Sequence, residues 1–170
     1  VFMLVAFGSL AQPAFPVDAT AGATPLVSIA EGNLPALKDL FLGTTGGAIG
    51  ETCALALLIG GAYLLIRKVI SWHLPVAFVA TAFLFSFLVS DFNVTTALAH
   101  VLSGGLLIGA FFMATDYVTS PSTALGKIIF GIGAGVITML IRFWGVYPEG
   151  VSFAILLMNI VNPFICSLTA

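Results

Sequence analysis

Residues 46–66 read G-G-A-I-G-E-T-C-A-L-A-L-L-I-G-G-A-Y-L-L-I, and Arg67 and Lys68 follow at once. Coiled as a helix, this run extends about 31 Å, enough to cross the hydrocarbon core of a bilayer. The whole chain has the same character. It is 60% hydrophobic and 7% charged, with a mean hydropathy of +1.18, whereas a soluble domain carries about 25% charged residues. The composition therefore specifies an all-α integral membrane protein.

Four further apolar segments follow. Residues 74–90 are rich in Phe and span roughly 25 Å as a helix, with Trp72 and His73 ahead of them as interfacial residues. Residues 94–113 hold His100 and a glycine-rich middle, and residues 125–144 carry Gly126, Gly131, Gly133 and Gly135. Residues 151–168 are interrupted by Asn159, Asn162 and Pro163. Residues 46–170 thus read as a bundle of about five transmembrane helices.

Residues 1–10 read as the end of a preceding transmembrane helix, so the chain is expected to be the C-terminal part of a longer one. Between them and the bundle, residues 11–45 contain Pro13, Pro16, Pro25 and Pro35 with Gly22, Gly32 and Gly43. Those residues exclude a continuous helix. A loop of about thirty-five residues is longer than connections usually are without a job to do. Within it, Leu34 to Leu42 is expected to form one or two amphipathic turns at the membrane surface.

The same loop holds V-D-A-T-A-G-A-T-P-L at residues 17–26. Gly22 and the alanines leave little bulk around Thr24, and Pro25 biases Thr24 away from the helical region. Such a turn presents one hydroxyl to a modifying enzyme. Its alternative is an ordinary Ala/Gly/Pro linker.

The other candidates each have a plain reading. The pairs Gly46/Gly50, Gly105/Gly109 and Gly131/Gly135 put two glycines on one helix face, which serves close helix packing or makes room for a flat cofactor or partner. Glu51 is either an ion-path carboxylate or a residue reaching the interface from a helix end. Asp91 and Asp116 fall in loops, where water solvates them. His100 lies mid-span without a second histidine at helical spacing, so it reads as a hydrogen-bonded packing residue, and no metal or haem site is expected. Cys53 and Cys166 fall in apolar runs and read as small core residues. Five basic and seven acidic residues make no basic patch, so no nucleic-acid partner is expected. If Arg67 and Lys68 are cytoplasmic, alternation places Lys127 inside and Lys38 and Arg142 outside, a bias of one charge. The loop of residues 11–45 then lies outside, in the periplasm of a two-membrane bacterium.

Taken in order, several stretches resemble one family. They are D-A-T-A-G-A-T-P-L (18–26), G-A-I-G-E-T (47–52), F-F-M-A-T-D (111–116), V-T-S-P (118–121), I-I-F-G (128–131), I-R-F-W-G-V-Y-P-E-G-V-S-F-A-I-L-L-M-N (141–159) and V-N-P-F-I (161–165). They resemble the D subunit of the Rnf ion-translocating electron-transport complex, and its relative, the B subunit of sodium-pumping NADH:quinone oxidoreductase. The resemblance implies a subunit of the bacterial inner membrane that is not catalytic alone and has the other subunits of the complex and membrane lipid as partners. It implies covalent FMN, joined through its phosphate to Thr24 by a separate flavin transferase. Asp18, Gly22 and Ala23 complete the attachment motif, and a second flavin stays open. The chain departs from the family at Ala21, usually Ser or Thr, at Cys53, usually Ser, and at Tyr117, usually Pro. A competing expectation is a flavin-free transporter or channel half-bundle, with a substrate site at a helix broken near Asn162 and Pro163.

Overall fold

The computed structural model describes residues 26, 29, 36–43, 53–90, 92–145 and 149–169. Among them the chain is helical: α1 (Leu37–Leu42), α2 (Ala54–Ile66), α3 (His73–Val89), α4 (Val94–Leu102), α5 (Leu106–Ile108) running into a π-helical turn (Gly109–Met113), α6 (Ala124–Trp144) and α7 (Val151–Thr169). Helices α6 and α7 are each long and apolar enough to cross a membrane. The pair α4 and α5 with its π turn adds a third span if the two are one span bent by 65°. Helices α2 and α3 are apolar and shorter, 13 and 17 residues. Each of the five apolar segments thus contains helix, and this all-helical membrane architecture is the expected one.

Local chemistry sets the helix starts. The Asn93 side chain accepts a hydrogen bond from Thr95 N at 3.1 Å and opens α4, and Thr123 Oγ1 accepts one from Gly126 N at 3.1 Å and opens α6. Each satisfies a backbone donor that the first helical turn cannot.

The core gathers where α3 packs on α6, the most extensive interface, and α6 on α7, the next. Phe78, Leu74, Phe130, Leu106 and Met139 are fully enclosed there. The α3–α6 contact depends on the Gly131/Gly135 pair. A Cβ on Gly131 would meet Leu74 O at 2.8 Å and Phe78 N at 3.1 Å, and one on Gly135 would meet Thr81 Cβ at 2.9 Å and Phe78 O at 3.1 Å. Plain close packing is the use these glycines serve. Gly131→Ala should therefore destabilise the folded chain by about 1–3 kcal/mol, read by thermal unfolding in a bilayer mimetic. Gly133→Ala should cost less, because its obstacle is the flexible thioether of Met158.

Helix α1 lies where the short amphipathic turn was expected. It is not confined to a surface, since Leu40 is 2% exposed and packs with Ile29 and Ala99, supported by Leu37 and Leu102. The stretch ahead of the bundle is fastened to α4 through these residues. Pro163 does not break α7, which runs through it. Asn162 Nδ2 donates to Thr119 O at 2.7 Å and ties the helix to the preceding turn. The broken span lies elsewhere, at Ser103–Gly105 between α4 and α5, and the expected break near Asn162 and Pro163 is corrected accordingly.

Candidate functional site

A helix that ends within an apolar bundle strands its last carbonyls without partners, at a cost that rises where water is excluded. At the end of α4 the answer comes from α6. The Arg142 guanidinium donates from Nη1 to His100 O at 2.5 Å and from Nη2 to Ser103 O at 3.2 Å. The planar fork of arginine suits two acceptors at once, and a cation is favoured at the negative end of a helix. Ser103 Oγ donates to Ala99 O, and Ser103 N also donates to Ala99 O at 2.9 Å.

The chain then turns at Gly104, whose φ of 65° lies in the left-handed region, where residues with a Cβ are strained. Space is tight as well, against the ends of three side chains. A Cβ there would meet Leu26 Cδ1 at 2.6 Å, Arg142 Nη2 at 3.2 Å and Glu149 Oε1 at 3.4 Å. Three remote segments therefore converge on one point: the stretch ahead of the bundle through Leu26, α6 through Arg142, and the α6–α7 connection through Glu149.

His100 lies in the same region, 7% exposed, with its ring centroid 5.0 Å from that of Phe143. Its carbonyl serves Arg142 while its Nδ1 has no hydrogen-bond partner among the described residues. The packing role expected of it stands, but the hydrogen bond is made by its backbone. Thr138, also buried, donates from Oγ1 to Ala134 O at 2.7 Å. In the linear sequence Arg142 counts only as a topology charge. A signal for more is nonetheless there: a basic residue in the last turn of an apolar helix, at the level of the S-G-G at residues 103–105.

The chemistry this arrangement offers is a fixed guanidinium and a carboxylate, beside a left-handed glycine, under the buried Leu26. Thr24, Asp18, Gly22, Ala23 and Glu51 lie outside the described residues, as do Asp91 and the Gly46/Gly50 pair. Asp116 is exposed in its turn, where Thr119 Oγ1 reaches its Oδ2 at 3.4 Å. Cys53 and Cys166 are free thiols. Among the described residues no group of His, Cys, Asp and Glu could hold a metal ion.

Comparison with known proteins gives one consistent result. Residues 1–170 match the family described as the NQR2, RnfD, RnfE family. The chain is similar to the D subunit of the Na(+)-translocating ferredoxin:NAD(+) oxidoreductase complex of Acetobacterium woodii, 49% identical over 153 residues, which is 87% of this chain and 47% of that protein. It is similar to the D subunit of the proton-translocating ferredoxin:NAD(+) oxidoreductase complex of Clostridium ljungdahlii, 49% identical over 138 residues, 78% of this chain and 41% of that protein. It is also similar to the D subunit of the ion-translocating oxidoreductase complex of Stutzerimonas stutzeri, 44% identical over 133 residues, 76% of this chain and 38% of that protein. The chain spans about half the length of the curated relatives it matches.

Proposed function

This chain belongs to the NQR2, RnfD, RnfE family, and from that premise we propose that it is part of a membrane subunit of an ion-translocating oxidoreductase complex, carrying covalent FMN on Thr24. The relatives' names support the complex and its other subunits as partners. The subunit sits in the bacterial inner membrane, with the Thr24 loop on the periplasmic side. Lys68 and Lys127 line one cavity, which fits the shared side that alternation gives them.

One observation carries the flavin reading: Leu26 is seated over Gly104 beside Arg142 and Glu149. Leu26 is two residues after Thr24, and two peptide units reach at most about 7 Å. A phosphate esterified to Thr24 Oγ1 would be linked, through two residues, to the side chain that abuts Gly104 beside the Arg142 guanidinium. Charge-assisted hydrogen bonding to phosphate is what that group does best. Bound there, the flavin would supply electron transfer at its ring. The chain's own residues supply the acceptor hydroxyl, a small-residue approach for the transferase through Gly22 and Ala23, and a rigid seat through Leu26.

The test uses the full-length protein co-expressed with a flavin transferase. Its band on a denaturing gel should fluoresce under ultraviolet light, and the mass of FMN should map to the peptide containing Thr24. A dark band from inserted protein, beside a transferase active on another substrate, contradicts the reading unless Ala21→Ser restores fluorescence. With transferase limiting, Ala21→Ser should raise the modified fraction several-fold, because it restores the hydroxyl the family usually has there.

A further inference from the structure

At the end of the bundle opposite the α4–α5 break, a cavity of about 590 Å³ opens between the α2–α3 connection, the turn before α6, and the first turn of α6. Lys68 and Lys127 line it with Trp72, Thr115, Tyr117 and Ser120. Two features mark it as more than a gap between loops. The first is Lys68 itself, which stands at φ 54°. Its N–H donates to Leu65 O at 3.0 Å, and Val69 N donates to Leu64 O at 3.0 Å. This is the paired-bond helix stop in which glycine is the usual left-handed residue. A lysine held in that conformation bears strain that glycine would not, and it brings an ammonium to the cavity. The second is that the wall is pinned: the Tyr117 hydroxyl donates to Val69 O, joining the turn before α6 to the α2–α3 connection.

We infer that this cavity binds the phosphate headgroup of an anionic phospholipid. Two cations with adjacent hydroxyls match a phosphodiester. The surroundings favour a lipid over a soluble phosphate ester. Val69 and Trp72 line the cavity and are exposed, as are Ile66 and Val118, which adjoin the lining residues Leu65 and Tyr117 in the chain, so acyl chains can descend along the bundle from a headgroup seated there. An exposed tryptophan beside lysines is the side-chain set of a membrane–water interface. The inference stands apart from the flavin reading, since it concerns the other end of the molecule and needs neither Thr24 nor Arg142.

The experiment compares full-length protein in its complex, reconstituted into phosphatidylcholine vesicles with and without phosphatidylglycerol, and measures retained phosphatidylglycerol by native mass spectrometry after extraction. Wild type should retain it, and Lys68→Gln with Lys127→Gln should lose on the order of tenfold in retention. Lys68→Arg with Lys127→Arg should keep it. Lys68→Gly guards against a folding artefact, because it relaxes the backbone while removing one ammonium. It should unfold no earlier than wild type and still retain less lipid. Equal retention by wild type and the double glutamine variant overturns the inference. Displacement of phosphatidylglycerol from wild type by inorganic phosphate at equal concentration would assign the cavity to soluble phosphate esters and overturn the lipid.

Discussion

Thr24→Val is expected to abolish the proposed covalent flavin while the membrane fold persists. Valine keeps the β-branched shape of threonine and removes only the hydroxyl, so the phosphoester has no oxygen to form on. The band on a denaturing gel should go dark, and the Thr24 peptide should carry no FMN mass. Thermal unfolding should stay close to wild type, because the change keeps the side chain's shape and removes one hydroxyl. Thr24→Ser retains the hydroxyl and should retain flavin. Fluorescence surviving in the valine variant would place the acceptor elsewhere and end the Thr24 assignment. The contrast with Thr20, the other hydroxyl of this stretch, sharpens the result: Thr20→Val should leave the band bright.

Arg142→Met carries the largest expected cost to the fold. Methionine fills similar apolar volume, but the carbonyls of His100 and Ser103 lose the donors that reach them at 2.5 and 3.2 Å. Each stranded acceptor costs about 1–3 kcal/mol, so about 2–6 kcal/mol in all is expected for the two. Arg142→Lys should recover part of this. The ammonium keeps the charge at the end of α4 but cannot fork to two carbonyls. Unfolding measured in a bilayer mimetic reads both variants. Arg142→Met at wild-type stability would show that the α4 terminus finds its partners elsewhere. Since the proposed acceptor hydroxyl belongs to Thr24, any inserted Arg142→Met protein should still be flavinylated. Fold and modification can therefore be separated by comparing this variant with Thr24→Val.

The two variants lie at different distances from what a linear reading can reach. Thr24 stands out because its neighbours are small and Pro25 constrains it, and those are properties of adjacent residues. Arg142 has no such local mark. It lies one residue from Phe143 and two from Trp144 in an apolar run, and its role depends on α4 ending beside it.

The five apolar segments were legible in the chain because length and hydropathy are summed along it, and a bilayer imposes a length of its own. The Gly131/Gly135 pair was legible as a packing face because four-residue spacing aligns side chains on any helix. What the linear pattern could not rank was which irregularity breaks a span. Pro163, in a run with Asn159 and Asn162, looks the stronger breaker, yet α7 continues through it. Proline removes one donor, a loss a long, packed helix can absorb as a kink. The weaker signal at residues 103–105 is where the span bends by 65°. There Leu26, Arg142 and Glu149 crowd Gly104 from three distant parts of the chain. Sequence alone determined that this protein is a helical membrane bundle preceded by a proline-punctuated stretch, because those traits are local sums and local sterics. Only the tertiary structure decided where a helix stops inside the bundle, because the donors that make the stop tolerable come from a helix distant in sequence.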